Sequence, residues 1–283
     1  MMDIESEGDL GDRYLVQPVV KAMQVLQLIC EAREPLTLNQ AVKEAGLPKT
    51  TVFRYLKTLA TLGFIEHDED ADRYRPGLGL WRLSHASGPY ETLKQVCRPR
   101  MKRLRQRFNE TVNLGVLSGG EVFYLDIVES ERSLRMQASI GATDQLHSTA
   151  LGKVFLAFSP PGRSESLLPD TLQPRTASTI TDRVRLFEQM EIIRTTGYAI
   201  EIGENEEGSY CIAAPICDRA GVAIAALSLS APVSRYEESA RQAICAGLIS
   251  AAAEIGQTLA GKPSAGKPLA GKPLAEDGAR AVA

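Results

Sequence analysis

The chain has 283 residues, 44% of them hydrophobic and 24% charged, and a formal net charge of −3. At about 150 residues per domain that length predicts two domains. The composition excludes a collagen, a disulfide miniprotein and a fully disordered chain. No run of about 18 consecutive apolar residues predicts a membrane-spanning helix. Residues 1–13 carry Asp3, Glu5, Glu7, Asp9 and Asp12 with no apolar core, which reads as a disordered arm and not as a secretory signal. The expected compartment is the cytoplasm, with no membrane partner.

The first helix pattern is Val19–Glu31, with Val19, Ala22, Met23, Leu26, Ile29 and Cys30 on one face. Thr37-Leu38-Asn39-Gln40 then has the form of a capping box, a hydroxyl at the N-cap and an amide three residues later. It opens a short helix whose Leu38, Ala41, Val42 and Ala45 face inward. Gly46 ends it, and Pro48 opens a third helix, Lys49–Leu62, closed by Gly63. Val52, Leu56 and Leu59 form the buried stripe of that helix. Lys49, Thr50, Thr51, Arg54, Tyr55 and Lys57 are left for its outer face, with three positive charges and no acid.

Two helices joined by a glycine turn, the second one basic, predict a helix-turn-helix. In DNA readers the start of the second helix meets base edges, arginine pairs with guanine, and hydroxyls hold phosphates. Residues 64–76 read as two short strands around an acidic turn, a wing on which Arg73 and Arg75 are the useful charges. Residues 14–80 are thus expected to form a winged helix-turn-helix domain bound to double-stranded operator DNA. Residues 81–93 read as a connecting segment, interrupted at Gly88-Pro89.

Beyond the linker, strands are expected at Val112–Leu117, Val122–Ile127, Leu134–Ala138, Tyr198–Ile202, Cys211–Ile216 and Ala223–Ser230. Helices are expected at Leu151–Phe158, Arg183–Thr196 and about Tyr236–Leu259. The interspersed order favours an α+β sheet over a doubly wound nucleotide fold. Residues 94–107 hold seven cations and no acid, read as a solvated helix face with Val96, Met101, Leu104 and Phe108 inward. The chain closes on three Ala-Gly-Lys-Pro repeats, so residues 261–283 are expected to be a disordered tail.

Five cysteines at irregular spacing predict reduced thiols, and three histidines without a metal-ligand spacing predict no metal. No cofactor is expected: there is no G-x-S-x-G, and Gly152-Lys153 lacks the remainder of a P-loop. What the residues do offer is a pocket for a small anion. Ser148-Thr149-Ala150-Leu151-Gly152 stands at a helix start, where free N–H groups and the dipole favour a carboxylate. Ser228 and Ser230 share one strand face, Cys211 opens an adjacent strand, and Glu201 closes another. Met136, Ala138, Ile140, Leu146 and Phe123 are candidate walls.

The segments VVKAMQVLQLI and LTLNQAVKEAGLPKTTVFRYLKTLATLGFIE resemble the IclR family of bacterial transcriptional regulators. So do LHSTALGKVFLAF, TITD, GYAIEIGENEEGSYCIAAPICD and ALSLSAPVSR, in the family order, over roughly residues 17–260. The resemblance implies a winged helix-turn-helix, a linker helix, and a GAF-like effector-binding and dimerisation domain at residues 94–260. It implies a dimer or dimer of dimers that represses or activates operons. It also places the effector against the backbone N–H groups of Ala150 and Leu151 and the side chains of Glu201, Cys211, Ser228 and Ser230. Glu201 stands where the family commonly has Asp, Cys217 where an aromatic or His is common, and Pro76 where leucine is usual. The resulting expectation is a regulator of a catabolic or metabolic operon, controlled by a small carboxylic acid. The rival from another class is a metabolic enzyme with an appended helix-turn-helix, using Cys211 as nucleophile with His147 as a spatial partner. A third reading is a scaffold whose sheet domain only dimerises.

Overall fold

The computed structural model describes residues 15–85, 88–235 and 237–261. They fall into two compact units that meet in sequence between residues 87 and 88. The acidic arm expected at 1–13 and the repeat tail beyond Gly261 lie outside the described residues.

The first unit contains α1 (Gln17–Glu31), α2 (Leu38–Ala45), α3 (Lys49–Thr61), β1 (Ile65–Asp68), β2 (Arg73–Pro76) and α4 (Leu78–His85). Thr37 caps α2 with its hydroxyl on the Gln40 N–H, and the Gln40 amide oxygen receives the Thr37 N–H at 2.8 Å. Gly46 closes α2 in the left-handed region at φ 62°, where a side chain is strained, so the turn into α3 is set locally. Val25, Leu26, Ile29, Ala41, Val52, Leu56 and Leu59 meet in one core with Ile65 and Tyr74 of the wing. The expected face of α1 is corrected here. Val19, Met23 and Cys30 are exposed, and Val25 takes their place inside. Two adjacent faces of α1 are apolar, so spacing alone does not choose between them.

The wing strands pair antiparallel, Ile65 with Pro76 through Asp68 with Arg73. Leu36 and Tyr74 exchange both backbone hydrogen bonds, at 3.0 and 2.8 Å, and fasten the wing to the start of the helix-turn-helix.

The second unit contains α5 (Gly88–Phe108), β3 (Thr111–Ser118), β4 (Glu121–Val128), β5 (Thr143–Asp144), α6 (Ala150–Ala157), α7 (Arg163–Ser166), α8 (Arg183–Thr196), β6 (Ala199–Ile202), β7 (Ser209–Cys217), β8 (Ala223–Pro232) and α9 (Glu238–Ala260). Its six strands form one antiparallel sheet in the order β5-β4-β3-β8-β7-β6. Gly119 and Gly120, both at positive φ, turn β3 into β4. The sheet is covered on both faces. Val112, Leu114, Ile212, Leu227 and Leu229 pack against Cys97 and Met101 of α5 and Leu248 and Ile255 of α9. On the other face Ala199, Ala213 and Ala226 pack against Val154 and Phe155 of α6 and Leu186 and Met190 of α8.

Most of α9, Ala240–Ala260, is long and apolar enough by composition to cross a membrane. Its Ile244, Leu248, Ala252 and Ile255 recur at spacings of three and four and are buried against the sheet, which is the pattern of a core helix.

Two further sequence expectations need correction. Residues 81–93 are not one linker helix. Helix α4 ends at His85, and α5 runs from Gly88 to Phe108 through the expected boundary at 94. Leu134–Ala138 is not a strand: residues 129–142 run irregularly, with Leu134 exposed and the Met136 carbonyl held by the Thr111 hydroxyl at 2.8 Å. The cationic run on α5 follows expectation, with Arg98, Lys102, Arg103 and Arg107 exposed and Val96, Met101, Leu104 and Phe108 turned to the core, and several of its exposed charges find partners. Arg98 pairs with the fully buried Asp126, Arg103 with Glu254, and Arg105 with Glu131, so much of its charge is spent inside the unit.

Candidate nucleic-acid interface and ligand pocket

In the first unit, the buried stripe of α3 fixes what its other face presents. Lys49, Thr50, Arg54 and Lys57 are exposed, and Thr51 and Tyr55 are half-buried. Tyr55 and Phe64 pack against the core, so the tyrosine ring is partly structural. Phe53, which the sequence reading assigned to neither face, is exposed on the same helix, with the Lys57 ammonium 5.9 Å from its ring centre. Both wing arginines have partners within the unit. Arg73 donates to the Pro35 carbonyl at 2.8 Å, and Arg75 pairs with Glu66 at 2.8 Å.

In the second unit, all seven residues expected at the anion site line one cavity of about 360 Å³: Thr149, Ala150, Leu151, Glu201, Cys211, Ser228 and Ser230. Strand register explains the convergence. Glu201 stands opposite Cys211, Cys211 opposite Ser230, and Ser230 opposite Thr111, a polar row across four strands. Ser228 stands opposite Asn113 in the next row.

Over this floor sits the start of α6. Thr149 caps it, its hydroxyl accepting from the Gly152 N–H at 3.0 Å and donating to the Gln145 carbonyl at 2.9 Å. The N–H groups of Ala150 and Leu151 belong to the first turn, which helix geometry leaves without an intrahelical acceptor. Gly152 lets the helix sit there: an added Cβ would lie 2.2 Å from the Leu146 carbonyl oxygen. Gly115 on β3 likewise makes room for the Leu151 side chain.

The polar groups of the floor are knitted together. The Asn113 amide donates to Ser228 Oγ and Ser230 Oγ, each at 3.1 Å, and the Cys211 thiol donates to Ser230 Oγ at 3.2 Å. One Glu201 carboxylate oxygen accepts the backbone N–H groups of Glu204 and Asn205. Burial pushes the Glu201 carboxyl above the usual carboxylate range, although those two N–H groups oppose the shift. Tyr124 donates to Asp144 at 2.9 Å on the cavity wall, and Arg175 is the one cation among the lining residues.

Behind the cavity, the fully buried Lys153 meets Glu204 at 2.5 Å, and the hydroxyls of Thr176 and Thr179 hold the Gly203 and Glu204 carbonyls. Of the expected walls, Met136 and Ala138 line the cavity. Leu146 packs in the α6 core, Phe123 against the opposite face, and Ile140 is exposed.

Sequence reasoning missed Thr111, Asn113, Tyr124, Asp144, Arg175 and Asn205. Thr111 and Asn113 did leave a signal, two polar residues alternating with Val112 and Leu114 as Ser228 and Ser230 alternate with leucines. Arg175 and Asn205 sit on loops whose position no local pattern encodes.

Cys211 is poorly suited to nucleophilic catalysis. A reactive thiol needs a depressed pKa, and here burial, reinforced by Glu201, pushes it well up. His147 is itself buried, with Nε2 2.9 Å from the Gln173 carbonyl. Among the described residues no group of three or more His, Cys, Asp or Glu side chains is placed to hold a metal.

A winged helix-turn-helix unit followed by a curled antiparallel sheet covered by helices defines a two-domain, DNA-binding transcriptional regulator. Residues 18–69 match the IclR helix-turn-helix domain, and residues 90–257 match the bacterial transcriptional regulator IclR C-terminal domain. The chain belongs to the IclR family. It is similar to the transcriptional regulator KdgR of Escherichia coli, 34% identical over 85% of this chain and 91% of that protein. The glycerol operon regulatory protein of Streptomyces coelicolor is 33% identical over 78% of this chain and 86% of its own length. Among solved structures, an IclR homolog from Microbacterium hydrocarbonoxydans in complex with 4-hydroxybenzoate is 27% identical and covers 85% of this chain and 98% of that one, with a TM-score of 0.75.

Proposed function

We propose that this regulator controls a catabolic or metabolic operon in response to a small carboxylic acid bound in its second unit. The observation that carries the reading is the Thr149-capped start of α6 standing over the polar row of Glu201, Cys211, Ser230 and Thr111 in one cavity. First-turn N–H groups and the helix dipole favour an anion there. A cavity of about 360 Å³ matches a small metabolite. The 4-hydroxybenzoate complex of the Microbacterium homolog and the glycerol operon regulator of Streptomyces coelicolor support the same reading.

At the other end, Lys49, Thr50, Thr51, Arg54, Tyr55 and Lys57 of α3 read the major groove of operator DNA, and Arg73 and Arg75 of the wing reach the phosphates by exchanging their present partners. Two copies of the chain, or a dimer of dimers, offer paired readers to a near-palindromic operator in the cytoplasm. Exposed apolar side chains on α1 (Val19, Met23) and α4 (Leu78, Trp81) support self-association. Effector binding shifts the placement of the readers through its different affinity for two states, a coupling of about 1–3 kcal/mol.

The test is operator binding by fluorescence anisotropy, with and without candidate acids. The double variant Ser228→Ala, Ser230→Ala is expected to keep its operator affinity and lose the response to acid. A double variant that responds at the same acid concentration as the parent refutes the pocket.

A further inference from the structure

Lys153 of α6 and Glu204 form a charged pair behind the cavity, with Nζ and Oε1 2.5 Å apart. The lysine is wholly buried and Glu204 is 7% exposed. Taking two charges out of water is costly, and their attraction offsets the cost only where further hydrogen bonds satisfy what is left. Glu204 Oε2 has no hydrogen-bond partner among the described residues. An apolar pair of similar volume would fill this space without that cost, so packing does not account for the pair.

Glu204 is the inner end of the turn between β6 and β7. Gly203 and Gly208 bracket that turn, both in the left-handed region, at φ 66° and 76°. Its two ends are fixed: the Gly203 N–H donates to the Ser209 carbonyl at 2.8 Å, and the Gly208 carbonyl accepts the Val233 N–H at 2.7 Å. Between them Glu206 and Glu207 are exposed and Glu204 is buried. Asn205 and Glu206 line the cavity. Three other segments reach the same turn. Asn205 Oδ1 accepts the Ser148 hydroxyl at 2.9 Å, from the residue before the cap of α6. The Thr176 and Thr179 hydroxyls donate to the Gly203 and Glu204 carbonyls, each at 2.6 Å. The Glu204 and Asn205 N–H groups donate to Glu201 at the end of β6. Lys153 adds the charge, from a position one turn along α6 from Thr149 and Ala150.

We propose that Lys153 is a positioning residue: acting through Glu204, it holds the turn between Gly203 and Gly208 against α6 and so keeps Asn205 and Glu206 on the cavity wall. This rests on the pocket reading above, and it places Lys153 behind the wall, out of reach of the ligand. A carboxylate stripped of its ammonium does not stay buried. The two glycines give the turn the backbone freedom to swing outward while the β6–β7 pairing, Ala199 with Ala213 through Ile202 with Tyr210, stays intact. The wall then opens although the sheet and its core do not.

The test uses the full chain and two variants, Lys153→Met and the double variant Lys153→Met, Glu204→Leu. Hydrogen exchange followed by mass spectrometry reads the turn, and calorimetry with acetate, butyrate, benzoate and 4-hydroxybenzoate reads the cavity. In Lys153→Met, exchange at residues 203–208 is expected to rise about tenfold or more while β3 and β8 keep their protection, and the tightest of the four acids is expected to bind about tenfold more weakly. In the double variant a leucine keeps the inner end of the turn buried without a charge, so exchange and acid affinity are both expected to return to within about threefold of the parent. The double variant remains informative if Lys153→Met fails to fold. Unchanged exchange at 203–208 in Lys153→Met overturns the proposal, as does a rise shared equally by β3 and β8, or unchanged acid binding with the turn released. A double variant that protects the turn but has lost the acid overturns it too, because Lys153 then acts on the ligand itself. Failure of all four acids to bind the parent counts against the pocket reading instead, and the exchange measurement still decides whether Lys153 holds the turn.

Discussion

Arg54 is exposed on α3, directly after the buried Val52 and before the buried Leu56, so its guanidinium is held outward by packing behind it. A bidentate arginine–guanine contact discriminates by about 1–3 kcal/mol. Arg54→Ala is therefore expected to weaken operator binding roughly 10- to 100-fold by that contact alone and to leave acid binding unchanged. Anisotropy titrations across a salt series measure this, and an unchanged operator affinity removes Arg54 from the reading set. The outward placement of the side chain was legible because a three-and-four stripe of apolar residues tells which side of a helix remains. The partners of the wing arginines were not legible: Arg73 donates to Pro35, 38 residues away, and only the folded wing brings them together. Asn113 was hidden for a related reason. Its alternation with Thr111 marks a polar strand face, but only register sets it opposite Ser228. Glu201, Cys211 and the serines line a single cavity, a convergence that the family resemblance implied where spacing alone did not.

Elements were legible where their stops are chemical and illegible where their continuity is tertiary. Thr37 and Gly46 bound α2 through their own side chain and dihedral, and Asp182 and Gly197 bound α8 in the same way. By contrast α5 continues through Pro99, a residue that removes one backbone hydrogen bond from a helix. Leu93, Val96, Cys97, Met101 and Leu104, buried against the sheet and α9, hold it in place on both sides of the proline. The false strand at Leu134–Ala138 has the opposite lesson: its residues are strand-like in composition, but β4 already has β5 at its other edge, and Met136, Gln137 and Ala138 line the cavity instead. The start of α6 is the element on which the pocket depends. At Gly152 an added Cβ would meet the Leu146 backbone at 2.2 and 2.3 Å, and backbone cannot rotate away. Gly152→Ala must lift the first turn of α6 from the preceding loop. Overpacking of this kind costs about 1–3 kcal/mol or more, so the urea midpoint is expected to fall and acid binding to be lost. Unchanged acid binding in a variant of lowered stability would show that the first turn does not hold the carboxylate.

For the whole molecule, the net charge of −3 says little, because its charges are local and mostly committed. The three cations of α3 face out without an acid on the helix, whereas many of those on α5 pair within their own unit. The pH dependence of stability follows instead from neutral groups that folding buries. Burial pushes the Cys97 thiol up to about 12 and the Cys217 thiol to about 11, from an ordinary value of 9.0. It raises Cys211 and Cys245 in the same direction. In the unfolded chain these thiols lose their protons near pH 9, while in the folded chain they keep them. The unfolded state then binds fewer protons, so stability is fully present below about pH 9 and falls as pH rises toward 11 and 12. Each pH unit in that window costs on the order of 1 kcal/mol for each buried thiol. Lys153 opposes the trend: its pKa is lowered by burial, so its contribution to stability improves as pH approaches its ordinary value of 10.5. With Cys30 raised as well, five thiols outweigh one amine, and chemical unfolding followed between pH 8 and 11 is expected to show a declining midpoint. Cys97→Ala removes one strongly raised thiol and is expected to make the decline shallower, even though the variant starts from a lower stability at pH 8. A slope identical to that of the parent would mean that Cys97 ionises as readily in the folded protein as in the unfolded chain, and that its burial against Met101 and the sheet does not exclude water.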